Sequence, residues 1–355
     1  MYKRLSIEHF RGIKQANLDD LGQINLFVGT NNSGKTSVLE AIFLLTGMGN
    51  PENLIKIDAF RTLFHNEGDD FRFIFFNLDY SLNPKLIAEM DDTSERGLII
   101  FPKLSSSISA INKSNITPIG TKEDLKADGL FSEFYLKSKH SQRQQFKSTI
   151  TFQNGRNDIE LSKNYKETIQ GVFLSTKQDS HDLVNYKAVE EIIRKKKKIE
   201  LIEVLKILDS EIVGIELFSN NMIFFDKGLA QLVPSNLSGE GIKKLFGIII
   251  SIINSPNGIV LIDEIENGFY YKTLKKVWKS IVVAAKKYNV QLFITTHNYE
   301  ILHELDSALN DDEMVGEKSK IRTYKLVKQD DKTVKAIKYD FEQLNTAIEN
   351  NNEIR

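Results

Sequence analysis

Gly29-Thr30-Asn31-Asn32-Ser33-Gly34-Lys35-Thr36, followed by Ser37, fits the spacing G-x-x-x-x-G-K-[ST] at every fixed position. Glycines at that spacing let successive backbone N–H groups turn inward on an anion, and a helix starting at the lysine adds its positive end. Asn31, Asn32, Ser33 and Gly34 would form such a cradle, with Ser37 behind it. Lys35 has the reach to meet the outer phosphates of a nucleoside triphosphate, and the Thr36 hydroxyl can take a place on Mg²⁺. A glycine-bearing turn with a solvated lysine is the plain alternative. The apolar run at 24–28 before the loop and the helical pattern after it favour the cradle.

Three more stretches carry chemistry-bearing types. IVLIDEIE (259–266) sets Asp263 and Glu264 at the end of an apolar strand. Carboxylates there would lie at the C-terminal edge of a parallel sheet, where ligands of α/β folds bind. Asp263 would hold Mg²⁺ through water, and Glu264 could polarise an attacking water as general base. Taken alone, the pair reads as well as two surface acids. In NLSGEG (236–241), Ser238, Gly239 and Glu240 open an apolar-faced helix, so a hydroxyl and N–H groups meet at a positive helix end. Ordinary capping by Asn236 or Ser238 would use the same residues. LFITTHN (292–298) ends a strand with His297, whose imidazole could hydrogen-bond a terminal phosphate or serve structure alone.

These residues need elements to position them. Strands are expected at 3–10 and 24–28, and a helix at 36–45 with Val38, Ala41, Ile42 and Leu45 on one face. An aromatic β-type run follows at 71–82, then short strands at 98–101, 131–136 and 147–153. One or two helices cover 182–208, strands lie near 212–218 and 222–226, and a helix spans 239–254. Strand 258–264, helix 271–288 and strand 290–297 form a strand-helix-strand unit that implies parallel pairing. The expected domains are a core at 1–70 and 230–355, a β-rich insertion at 71–180, and a helical lobe at 181–229.

Composition narrows the class. With 27% charged and 41% hydrophobic residues the chain reads as a globular protein, and its net charge of -1 does not advertise a nucleic-acid binder. It has no cysteine, and its histidines (9, 65, 140, 181, 297, 303) lack zinc-site spacing, so a protein-ligated metal site is not expected. No signal-peptide pattern opens the sequence and no apolar run approaches a membrane span, so a cytoplasmic protein is expected. The basic run Arg194–Lys198 has Glu190, Glu191 and Glu200 nearby and reads as a solvated face rather than a phosphate contact.

In chain order stand GTNNSGKT, LSGEG, LIDE and TTH. Together they resemble the ATP-binding-cassette (ABC) ATPase head, with its Walker A, signature, Walker B and switch-histidine motifs. The resemblance is specific over 1–50 and 230–300 and looser elsewhere. It implies an α/β fold: a P-loop NTPase head with a mixed or parallel core sheet, an antiparallel β insertion and a helical lobe. It implies ATP and Mg²⁺ as cofactors, ATP hydrolysis, and a head-to-tail homodimer or higher homo-oligomer that sandwiches two ATP molecules. On that pattern Ser238, Gly239 and Glu240 reach nucleotide held by a second copy, while Lys35, Thr36, Asp263, Glu264 and His297 serve their own. Arg11, in HFRG, stands where SMC-like heads place a basic residue close to nucleotide; an exposed loop arginine would explain it as well.

Among branches, the lack of sustained heptads sets the long-armed SMC proteins aside. RecF-type ATPases are similar at HFRGIKQANL and FVGTNNSGKTSVLEAI, yet they continue Walker B into S-x-L-D where this chain has ENGFYY. VLIDEIENGFYY and QLFITTHN most resemble the OLD-like ATPases of antiphage and stress operons, with Tyr270 replacing a histidine and Asn298 a serine. Those departures touch the contact across the dimer in which the family uses Glu266 and Asn267. The chain ends at Arg355, so no Toprim nuclease like that of full-length OLD proteins is expected. The ATPases of Septu, PARIS and some retron systems look similar in this respect. The resemblance therefore implies an ATP-driven switch controlling a separately encoded effector in antiphage defence, with a RecF-like DNA clamp as the alternative. DNA or RNA stays open as a partner, and no membrane is expected.

Overall fold

The computed structural model describes residues 1–61, 71–104, 127–139, 142–153, 156–175 and 181–350; His65 and His140 lie outside them. The chain divides into two compact units. One comprises Met1–Leu21, Asn32–Ile169 and Leu326–Ala336; the other comprises Gly22–Asn31, Gln170–Lys325 and Ile337–Arg355.

The first unit is built on a hairpin of β1 (Tyr2–Phe10) and β2 (Ile13–Leu18), in register from Leu5↔Leu18 to Phe10↔Ile13. Tyr2, Leu5, Ile7 and Phe10 of β1 are buried. Beyond β1 the sheet continues antiparallel through β4 (Lys85–Met90), β5 (Glu95–Leu104), β6 (Ala127–Lys137), β7 (Gln144–Gln153) and β8 (Arg156–Glu160). On the other side β16 (Thr333–Tyr339) joins β2 in parallel. The strands of the expected insertion thus extend the sheet begun by the N-terminal hairpin. Helix α1 (Lys35–Thr46) is buried at every position from Ser37 to Thr46, all round rather than on the single face its sequence marks. A short helix, α2 (Glu52–Ala59), follows it.

The aromatic run at 71–82 is not a strand. It forms two 3-10 turns, Phe71–Ile74 and Phe76–Leu78, with Asn77 and Leu78 at positive φ. Aromatic content mimicked a strand, but Phe71, Ile74, Phe75 and Phe76 are buried without the alternation a half-buried strand requires.

The second unit carries a parallel sheet in the order β15 (Ile321–Lys328), β3 (Ile24–Val28), β14 (Gln291–Thr295), β13 (Ile259–Ile262), β9 (Gly171–Leu174). Strands β3, β13 and β14 are buried throughout, as expected where helices cover both faces. Helix α5 (Glu240–Asn254), α6 (Leu274–Tyr288) and α7 (Tyr299–Leu309) supply much of the core. Trp278 lies within it, and its indole N–H donates to the Ile301 carbonyl at 3.0 Å. Asn298 caps α7 by accepting from the Glu300 N–H at 2.8 Å; asparagine and serine are equally good caps. Helices α3 (His181–Arg194) and α4 (Lys198–Leu205) precede a meander of β10 (Gly214–Leu217), β11 (Ile223–Asp226) and β12 (Val233–Pro234). A last helix, α8 (Phe341–Glu349), follows β16. In the basic run, Arg194 and Lys195 pair with Glu190 and Glu191, and Lys198 pairs with Glu216. It is an ion-paired, solvated face.

Candidate active site

The loop from β3 to α1 carries positive φ at Gly29 (148°), Asn32 (66°) and Gly34 (100°). Such alternation turns backbone N–H groups to one side. Gly34 is the helix N-cap, no side chain caps it, and the first turn holds no acid to oppose an anion. Ser33 Oγ is buried without a partner, an orphaned hydroxyl at the same helix end. Asn31 and Asn32 are exposed, Lys35 and Thr36 half-buried. Ser37 is buried, and its Oγ accepts from Arg61 Nη2 at 3.3 Å. These residues fit a polyphosphate.

Arg11 is placed differently. Its Nε lies 2.6 Å from Glu40 Oε2, its Nη2 2.7 Å from Asp58 Oδ1, and both carboxylates are fully buried. Arg61 pairs with the other Glu40 oxygen at 2.6 Å. Arg11, Arg61, Lys328 and Lys332 line a cavity of about 370 Å³ that also touches Asn32, Gly34 and Ser37.

In the second unit β13 and β14 run side by side with Ile262 level with Ile294, so the residues that follow share one sheet edge. Asp263 is buried, and Thr295 Oγ1 donates to its Oδ1 at 2.6 Å. The same hydroxyl accepts from the Glu264 N–H at 2.8 Å, so one threonine fixes both acids. Glu264 has φ +48°, in the left-handed region that a β-carbon disfavours. Its carboxylate accepts from Asn267 Nδ2 at 3.0 Å, and its carbonyl accepts from Lys244 Nζ at 2.6 Å. Burial pushes the Lys244 ammonium down to about 8, against the pull of Glu266, Glu264 and Asp263.

His297 is half-exposed and bound to Glu266, whose Oε1 accepts from the His297 N–H at 2.9 Å and stands 2.7 Å from Nδ1. A carboxylate at Nδ1 fixes the ring's orientation and leaves Nε2 for a ligand. The Glu266 side chain is 8% exposed and its Oε2 has no hydrogen-bond partner.

Ser238 and Gly239 precede α5. Gly239 is the N-cap, and neither Asn236 nor Ser238 supplies a side-chain cap. Ser238 Oγ is shielded yet unpartnered, and a β-carbon on Gly239 would meet nothing within 4 Å. Glu240 is exposed and pairs with Lys243 at 2.8 Å. At Gly241 a β-carbon would stand 2.9 Å from the Gly268 carbonyl oxygen, so glycine lets α5 approach the turn after Glu264.

Thr295, Lys244, Glu266 and Asn267 were not read from sequence as partners of the acids and the histidine. One signal was available: Gly241, Lys244 and Ile248 recur at helical spacing on α5, which puts a lysine on a face that packs inward.

The phosphate-loop pattern at the start of α1 and the Asp-Glu pair after β13 are features of P-loop ATPases, and the α/β fold is that of an ATPase head. Residues 24–303 match the family described as "AAA domain, putative AbiEii toxin, Type IV TA system", and the chain belongs to it; it is an ATPase. It is 25% identical to the Helicobacter pylori protein named "ATP/GTP phosphatase", over 99% of this chain and 98% of that one. Over 47 residues, 13% of either chain, it is 60% identical to "DNA replication and repair protein RecF" of Shewanella denitrificans. Its fold is similar to that in "Crystal structure of the SmcHead bound to the C-winged helix domain of ScpA", with TM-score 0.52, 14% identity and coverage of 97% and 99%. No helix among the described residues is long and apolar enough to cross a membrane.

Proposed function

We propose that the chain is an ATP-driven switch that assembles head to tail around two ATP molecules and controls a separately encoded effector in antiphage defence. In this reading Lys35 and the loop Asn31–Ser37 hold the phosphates, and Thr36 and Asp263 hold Mg²⁺, a hard cation suited to their oxygen donors. Glu264 acts as general base and His297 senses the terminal phosphate. Ser238, Gly239 and Glu240 come from the second copy. Arg11 acts on nucleotide only through the cavity wall, since Glu40 and Asp58 occupy its guanidinium.

The observation that carries the reading is the start of α5: an orphaned Ser238 hydroxyl, no side-chain cap, and open space at the β-position of Gly239. A helix end left in this state suits an anion supplied from outside the chain. The family description, which names a toxin and a toxin–antitoxin system, supports an effector partner. The second reading, a RecF-like DNA clamp, draws on the 47-residue likeness to RecF.

The test mixes Ser238→Arg with Lys35→Ala, each inactive alone. Recovery of part of the ATPase activity is expected, because one of the two mixed sites is intact. A mixture as dead as its parts, with heterodimers present by light scattering, would overturn the shared site.

A further inference from the structure

We infer that Lys244 is a positioning residue that couples the helix carrying the signature serine to the glutamate that performs hydrolysis. The inference rests on the role of Glu264 proposed above and goes beyond it by naming how nucleotide capture at one end of α5 is communicated to the base.

The geometry is specific. Lys244 lies one helical turn after Glu240, on the same helix that Ser238 and Gly239 open. Its ammonium donates to the Glu264 carbonyl at 2.6 Å, while the Thr295 hydroxyl holds the Glu264 N–H. The peptide groups on both sides of a left-handed residue are thus held from two elements, β14 and α5. Of these, β14 is a buried central strand, whereas α5 begins at the surface with Gly239 and Glu240 exposed. Displacement of α5 is therefore transmitted to Glu264 through Lys244.

Two features make the lysine more than a static tie. A second acceptor is ready for it: Glu266 Oε2 is buried and unpartnered, and Glu266 is the carboxylate that acts most strongly on the ammonium. A cavity of about 310 Å³ lined by Lys244, Phe246, Gly247, Asp263 and Asn267 gives the side chain room to move. Because Glu266 also holds His297, transfer of Lys244 from Glu264 to Glu266 links the helix to both hydrolytic groups.

The experiment compares Lys244→Met, Lys244→Arg and Glu264→Gln in the full chain, measuring ATP affinity, ATP-dependent dimerisation and kcat. Lys244→Met is expected to lower kcat by about tenfold or more, as loss of a residue that orients a working group does, with affinity and dimerisation unchanged. Lys244→Arg should restore much of the rate, since it keeps a donor of similar reach. Adding Lys244→Met to Glu264→Gln should cost nothing further, because both act on one step. Wild-type kcat in Lys244→Met, a parallel loss of dimerisation, or no rescue by arginine would each overturn the inference while leaving the proposed function intact. Undiminished turnover in Glu264→Gln would remove the premise itself.

Discussion

Two charge clusters, one in each unit, differ in how their groups are partnered. In the first unit Arg11 and Arg61 face Glu40 and Asp58, and each arginine has a carboxylate within 2.7 Å. In the second unit Lys244 faces Asp263, Glu264 and Glu266, and one Glu266 oxygen is left unpartnered. In the first cluster Glu40 is held by two guanidinium groups at once. In the second a single ammonium, which burial pushes down to about 8, donates to the Glu264 carbonyl beside an unpartnered Glu266 oxygen.

That contrast can be broken. Glu264→Gln should lower kcat by about 10²–10⁴-fold, the usual worth of a general base, with melting temperature held or raised; steady-state hydrolysis and calorimetry check both. Arg11→Ala should destabilise the protein by about 3–5 kcal/mol, because buried Glu40 and Asp58 each lose an ion pair to its guanidinium. If it abolished turnover without moving the urea midpoint, the first cluster would belong with the nucleotide and not with the scaffold. Thr295→Val keeps the shape of β14 and removes the hydroxyl between the two acids, so it should lower kcat by about 10–100-fold. The smallest effect is expected from Asn298→Ser, a few tenths of a kcal/mol at most, since one cap replaces another.

How legible this was depended on how far apart in sequence the cooperating groups lie. The phosphate loop was plain because its chemistry is backbone and contiguous residues, and α1 follows it directly. The strand-end acids read equally well as two surface acids when taken alone, and only their order among the other motifs favoured a site. Thr295 is separated from Asp263 by an entire helix, and its role rests on the parallel register of β13 and β14 that places it alongside. Lys244 received no reading from the sequence; its donation to the Glu264 carbonyl follows from the close approach of α5 to Gly268. Among the elements, β2, β4, β8, β9, β12, α2 and α7 were not read. Strand β2 mixes polar and apolar residues, and β9 is only four residues long, so neither offers a period to detect. The 71–82 run failed in the opposite sense: its composition was right for a strand, but Asn77 and Leu78 turn the chain.

The left-handed backbone of Glu264 has a consequence for how this protein can be improved. Glycine or asparagine would sit at φ +48° with less strain, so the residue most comfortable there is not the one that can polarise water. Glu264→Gly is therefore expected to relieve backbone strain at that position, with thermal denaturation as the check, and to remove the carboxylate that Asn267 binds.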